Sequence, residues 1–243
     1  MELENIFKME IYKNCNDKPY LLVIAILTAM AAASTFLGIA MLEDKIAAEG
    51  GLFAILIVLI IFTVLGLGIF LLLYPFHLLN VDYKNKVMSL IFASGVSREK
   101  YYFVKISATT LTCLTAMLVI LVIPTITFLL VYQESFVEMM QEILKNFSIS
   151  DVAPFMLMVI FSWLASFAML TTSVIITRGK VAGIFLFLGF SFAVSTIQSI
   201  FSVPIFFSIE NYNTYFYLVT AFSIIQIVVF VLIGLNVLRK QDL

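Results

Sequence analysis

The sequence has little charge and few side chains that could do chemistry. Only 12% of its 243 residues are charged, and the single histidine, His77, sits near the end of an apolar run beside Pro75. An intramembrane metalloprotease needs several His, Asp or Glu ligands together, so that class lacks its ligands here and His77 reads as an interfacial side chain. Two cysteines, Cys15 and Cys113, fall in a polar stretch and inside an apolar run, which argues against a disulfide framework. No G-x-x-x-x-G-K-[ST] loop is present to cradle nucleotide phosphates. No ATP or other cofactor is therefore expected on this chain, and no enzymatic activity. The net charge of -1 is not the basic excess that nucleic-acid binding requires.

What is abundant is apolar surface: 63% of residues are hydrophobic and the mean hydropathy is +1.12. A soluble domain of this length has no way to hide that much. Spanning a hydrocarbon core takes ~20 apolar residues in helix, and six uncharged runs meet that length, at 20–42, 51–79, 106–132, 152–177, 181–209 and 212–238. The first is too long for a signal-peptide core and follows a stretch rich in both charge signs. The expectation is an all-α membrane protein with six transmembrane helices, forming a single membrane domain over 1–243 with no soluble domain and no repeat.

Lysine and arginine are retained on the cytoplasmic side of short loops. With the N-terminus inside, only Lys45 and Lys145 of the fourteen basic residues fall outside, so both termini are expected in the cytoplasm. Acids sort differently: Glu43, Asp44, Glu49, Glu134, Glu138, Glu142, Asp151 and Glu210 make the outer face acidic. No run contains a carboxylate of the kind that binds a coupling proton or sodium at the midplane. Uphill transport would then take its energy from another chain.

The largest inner loop, 80–105, reads as helix, glycine stop, helix. Asp82 is placed as the cap of the first helix, whose Val87, Leu90 and Ile91 fall at i, i+3 and i+4 on one apolar face. Gly95 suits a left-handed stop, Ser97 a second cap, and Arg98, Lys100 and Lys105 lead into the third membrane run. On these residues alone the rod either meets a partner or rests in the headgroups with its lysines on anionic lipid.

The stretch D-Y-K-N-K-V-M-S-L-I-F-A-S-G-V-S-R-E-K-Y-Y-F-V-K, Asp82 to Lys105, resembles the coupling-helix segment of ABC-2 type transporter permeases, with Ser97-Arg98 and Lys105 at matching positions. F-K-M-E-I-Y-K, Phe7 to Lys13, is similar to the amphipathic elbow helix that opens such permeases, and R-K-Q-D-L, Arg239 to Leu243, to their basic cytoplasmic tail. Gly95-Val96 stands where a proline often precedes the Ser-Arg pair, and Asp82 where a glutamate is usual. The resemblance implies the membrane subunit of a bacterial ABC exporter in the cell membrane. It would pair with a second permease subunit, the same or related, and with a cytoplasmic ATPase that binds the ATP. It also implies an ATPase-coupling set of Lys84, Lys86, Leu90, Ile91, Phe92 and Arg98, with Leu90, Ile91 and Phe92 filling the ATPase groove. The alternative is a regulatory membrane subunit of such a complex that transports nothing.

Three further features complete the reading. In the outer loop, Phe136, Met140, Ile143, Leu144 and Phe147 share one helical face, while Glu134, Glu138 and Glu142 form a row of like charge on the other. That row is either a solvated face or a surface that holds cationic amphipathic substrates such as antimicrobial peptides, compounds that permeases resembling this one often expel. Gly66 and Gly68 offer close helix contact at a subunit interface. The segment 202–216, with Pro204 and its aromatic residues, forms either a re-entrant element or a loop with an interfacial aromatic belt.

Overall fold

The computed structural model describes residues 3–42, 50–85, 87–131, 137, 141, 149–208 and 212–241. No strand occurs among them, and eight helices are delimited: α1 (Leu3–Cys15), α2 (Lys18–Leu42), α3 (Gly50–Lys84), α4 (Val87–Ala93), α5 (Arg98–Val131), α6 (Ile149–Ile176), α7 (Ala182–Ser208) and α8 (Tyr212–Lys240). All but α1 and α4 are long and apolar enough to cross a membrane. Helices satisfy their own backbone groups in hydrocarbon, and each of the six apolar runs has taken that solution. The protein is an all-α membrane protein with six transmembrane helices.

Two helices outrun their apolar stretches. The second apolar run ends at 79 and the third begins at 106, yet α3 continues to Lys84 and α5 already starts at Arg98. Helix α7 runs through Pro204 to Ser208, within its apolar stretch, and α8 starts at Tyr212.

The chain forms two compact units. One holds Lys8–Pro75 and Leu111–Glu142. Its polar groups close on one another: the Tyr74 hydroxyl donates to the Asn14 carbonyl at 2.9 Å, the Tyr20 hydroxyl to the Thr112 carbonyl at 3.0 Å, and the Asn14 amide to Thr112 Oγ1 at 3.3 Å. The end of α1 is thereby tied to α3 and α5, with the Tyr74 ring stacked on Phe70. Gly66 faces α2, where a Cβ would stand 2.7 Å from a Leu27 methyl, whereas Gly68 faces open space. Of the expected glycine pair, Gly66 serves a contact inside the subunit.

The other unit holds Met1–Phe7, Phe76–Thr110 and Ile143–Leu243. Helix α6 packs along α8, with α7 against both. The approach is close at Gly234, where a Cβ would lie 2.9 Å from Thr172 Oγ1 and 3.1 Å from the Tyr102 hydroxyl. The Thr172 hydroxyl donates to the Phe230 carbonyl at 2.7 Å across this seam. Helix α6 ends in a Schellman closure, with Gly179 N–H bonded to the Val174 carbonyl at 2.9 Å and Arg178 N–H to that of Ile175 at 3.1 Å. Arg178 and Gly179 both take positive φ, 51° and 73°.

Candidate functional site

The candidate site lies in this second unit, where the α3–α4–α5 connection meets the ends of α6 and α8. Helix α4 is stopped as its sequence expects: Ser94 Oγ donates to the Ile91 carbonyl, and Gly95 takes φ 88°, a left-handed value that suits glycine. Ser97 Oγ then accepts the Lys100 N–H at 3.3 Å, the N-cap bond of α5.

The buried face of α4 differs from the expected one. Met88 is buried, Ile91 and Phe92 pack against the same core, and Leu90 is 69% exposed. Six of the seven α4 residues are apolar, so periodicity alone does not select a face. Tertiary packing does: Phe92 sits edge-on to Tyr101 at 5.4 Å between ring centroids, with the Arg98 guanidinium 5.5 Å above its ring. The core beneath is built from Ile6, Met88, Val96, Tyr101, Tyr102, Val104, Ile175 and Leu238.

Asp82 does not cap a helix. It lies inside α3 with its side chain fully buried, 2.5 Å from Lys105 Nζ and accepting the Tyr101 hydroxyl at 2.7 Å. Lys105 is 1% exposed. A lone charge in this environment carries a desolvation cost of several kcal/mol, which the pair and the tyrosine offset by meeting in one place. The ionic contact fastens the last turn of α3 to the second turn of α5, so both helices extend beyond their uncharged stretches.

Arg98 is also committed within the chain. Its Nη1 donates to the carbonyls of Leu238 at 2.6 Å, Arg239 at 2.8 Å and Gln241 at 2.8 Å. Helix C-termini carry unsatisfied carbonyls and partial negative charge, and a guanidinium presents several donors from one rigid plane. Gln241, 5% exposed, donates from Nε2 to the Ile175 carbonyl at 2.6 Å and accepts the Tyr83 hydroxyl at 3.2 Å. Arg239 pairs with Glu99. The segment 238–241 is thus built into the fold and is not a free tail. Sequence reasoning missed Gln241, because no local pattern marks a glutamine whose partners lie on three other helices.

The ATPase-coupling candidates divide accordingly. Lys84 and Leu90 face outward, Ile91 and Phe92 are half-buried against their own chain, and Arg98 holds the end of α8. Lys86, Glu134, Glu138 and Glu142 lie outside the described residues. Exposed Lys84, Lys100, Arg239 and Lys240 outnumber the exposed Glu99 and leave this end of the unit basic, with Leu90 standing out of α4. Among the described residues no group of His, Cys, Asp and Glu is placed to hold a metal ion. No family model, curated protein or solved structure matches the chain.

Proposed function

We propose that this protein is the membrane-spanning subunit of an ABC exporter, driven by a separate cytoplasmic ATPase that docks on the α4 surface. The observation that carries the reading is the form of the α3–α5 connection. A short apolar helix is held between two membrane helices by a buried ion pair, with Leu90 exposed and basic residues around it. A helix merely resting in the headgroups gains nothing from rigid fixation at both ends, whereas a lever needs it. Leu90 is the apolar anchor for the ATPase groove, and Lys84 and Lys100 provide its charged rim. Phe92 and Arg98 act from behind by fixing the rod in place.

In this reading both termini and the α4 connection are cytoplasmic, as the distribution of basic residues favours. The protein sits in a bacterial cell membrane and pairs with a second permease subunit. The acidic outer row of Glu134, Glu138 and Glu142 receives cationic amphipathic cargo such as antimicrobial peptides.

The test is co-purification from the native membrane followed by reconstitution. An ATPase chain should accompany the protein, and its hydrolysis should rise when a cationic amphipathic peptide is supplied and exported. Stimulated hydrolysis without peptide movement would point to a regulatory subunit. Absence of any ATPase would end the reading.

A further inference from the structure

Arg98 joins α5 to the end of α8, and Gln241 joins the end of α8 to α3 and α6. We propose that these two residues form a strut through which displacement of the α4 connection is passed to the ends of α6 and α8. The proposal rests on the exporter reading for what does the pushing, while the mechanical link itself stands on the contacts of Arg98 and Gln241.

One cation–π contact and a set of hydrogen bonds form a continuous chain. Phe92, on α4, lies under the Arg98 guanidinium. That guanidinium reaches three carbonyls at 2.6 to 2.8 Å around the last turn of α8. The Gln241 amide, in the same turn, holds the Ile175 carbonyl at 2.6 Å, which is the penultimate residue of α6. Its oxygen accepts the Tyr83 hydroxyl from the last turn of α3. Leu238 is fully buried directly behind.

Hydrogen bonds from a charged donor are stronger than neutral ones, and the three carbonyls that close on the single Nη1 of Arg98 hold that nitrogen against the end of α8. Helices α6 and α8 are the most extensively packed pair of this unit, so motion delivered to their ends is carried along both. Rigid secondary elements with discrete contacts are how displacement crosses a protein.

Two substitutions separate this role from general support. Arg98→Lys keeps the charge, but its shorter side chain ends before the position Nη1 occupies among the three carbonyls. Gln241→Glu keeps the acceptor for Tyr83 but turns the donor to Ile175 into a second acceptor that repels the carbonyl. With both native cysteines replaced by alanine, spin labels at Ser94 and Lys240 should give one narrow distance distribution in the otherwise native chain. Each substitution should broaden it, and the two together should broaden it no further than one alone. A broad distribution in the native background, or a narrow one in both variants, overturns the strut.

In the reconstituted complex, Gln241→Glu should leave ATP hydrolysis running while peptide export falls by about fivefold or more, the scale of ordinary coupling losses. Normal export by this variant overturns the strut and leaves the exporter reading standing. Loss of hydrolysis and export together in a folded variant also overturns it, since that outcome marks mere structural support. If no ATPase accompanies the protein, the exporter reading fails and the spin-label distances still decide the strut.

Discussion

Lys105 Nζ stands 2.5 Å from Asp82 Oδ2, both side chains buried, although one belongs to the end of α3 and the other to α5. Neither can be removed alone without leaving the other charged and buried. Lys105→Met should lower stability by about 3 kcal/mol, read as a fall in the melting temperature of the detergent-purified protein. The double substitution Asp82→Leu with Lys105→Met should recover most of the loss, because a matched apolar pair removes both desolvation costs. A double variant no better than the single one would mean that the pair stabilises by more than mutual neutralisation.

Leu90 and Phe92 should separate cleanly. Leu90 is exposed, so Leu90→Asp should change stability by no more than about 0.5 kcal/mol while weakening ATPase binding by about 2 kcal/mol. Phe92 is half-buried on Tyr101 beneath Arg98, so Phe92→Ala should destabilise the protein by about 2 kcal/mol, less than truncation of a fully buried phenylalanine. Thermal unfolding alongside an ATPase pull-down checks both, and equal loss of stability in the two variants would refute the assignment of faces.

Gly234 sits where α6 and α8 are closest. Gly234→Ala should cost about 1–3 kcal/mol through the contacts of the added methyl with Thr172 and Tyr102. Gly68→Ala, facing open space, should be neutral or slightly stabilising, as expected for glycine replaced within a helix. The pair of melting curves is the check.

For topology, single cysteines at Ser97 and Lys180, both exposed, should stay unlabelled by impermeant thiol reagents in intact cells and label after permeabilisation. Cysteines at Glu49 and Glu142 should label directly. Cys15 is only half-buried and must be replaced first, whereas Cys113 is buried. Labelling of Ser97 in intact cells would reverse the orientation and remove α4 from the cytoplasm.

For cargo, cells lacking the protein should become sensitive to one or more cationic membrane-active peptides. Replacing Glu134, Glu138 and Glu142 with Gln should reduce protection more at low salt than at high salt, because screening already weakens surface attraction at high salt. Unchanged sensitivity across a broad peptide panel would remove the peptide assignment and leave the exporter reading intact.

The membrane helices were legible because hydrocarbon imposes a single rule on length and polarity. Their inner ends were not. A search for uncharged runs halts before Asp82 and at Lys105, and a hydropathy window holds no information that the two charges meet. The break at Gly95 and the cap at Ser97 were legible, since both depend on local backbone chemistry. The orientation of α4 was not, because its side chains are nearly all apolar and Tyr101 and Arg98 decide which ones turn inward. Arg98 was singled out from its sequence context, but its target, the carbonyls of 238–241, depends on the packing of α8. Gln241 had no signal at all.

Three glycines of one unit carry a consequence for ancestry. A Cβ at Gly179 would stand 2.9 Å from the Tyr83 Cβ, one at Gly183 3.0 Å from the Phe76 ring, and one at Gly234 2.9 Å from Thr172 Oγ1. Lipid-facing side chains can drift freely among Leu, Ile, Val and Phe, so overall identity decays quickly in such a protein. A side chain at any of these three positions strains the packing around it. Distant kin are therefore better sought by the spacing of glycines 179, 183 and 234, together with the acid at 82 and the lysine at 105, than by aligning apolar stretches that any membrane helix shares.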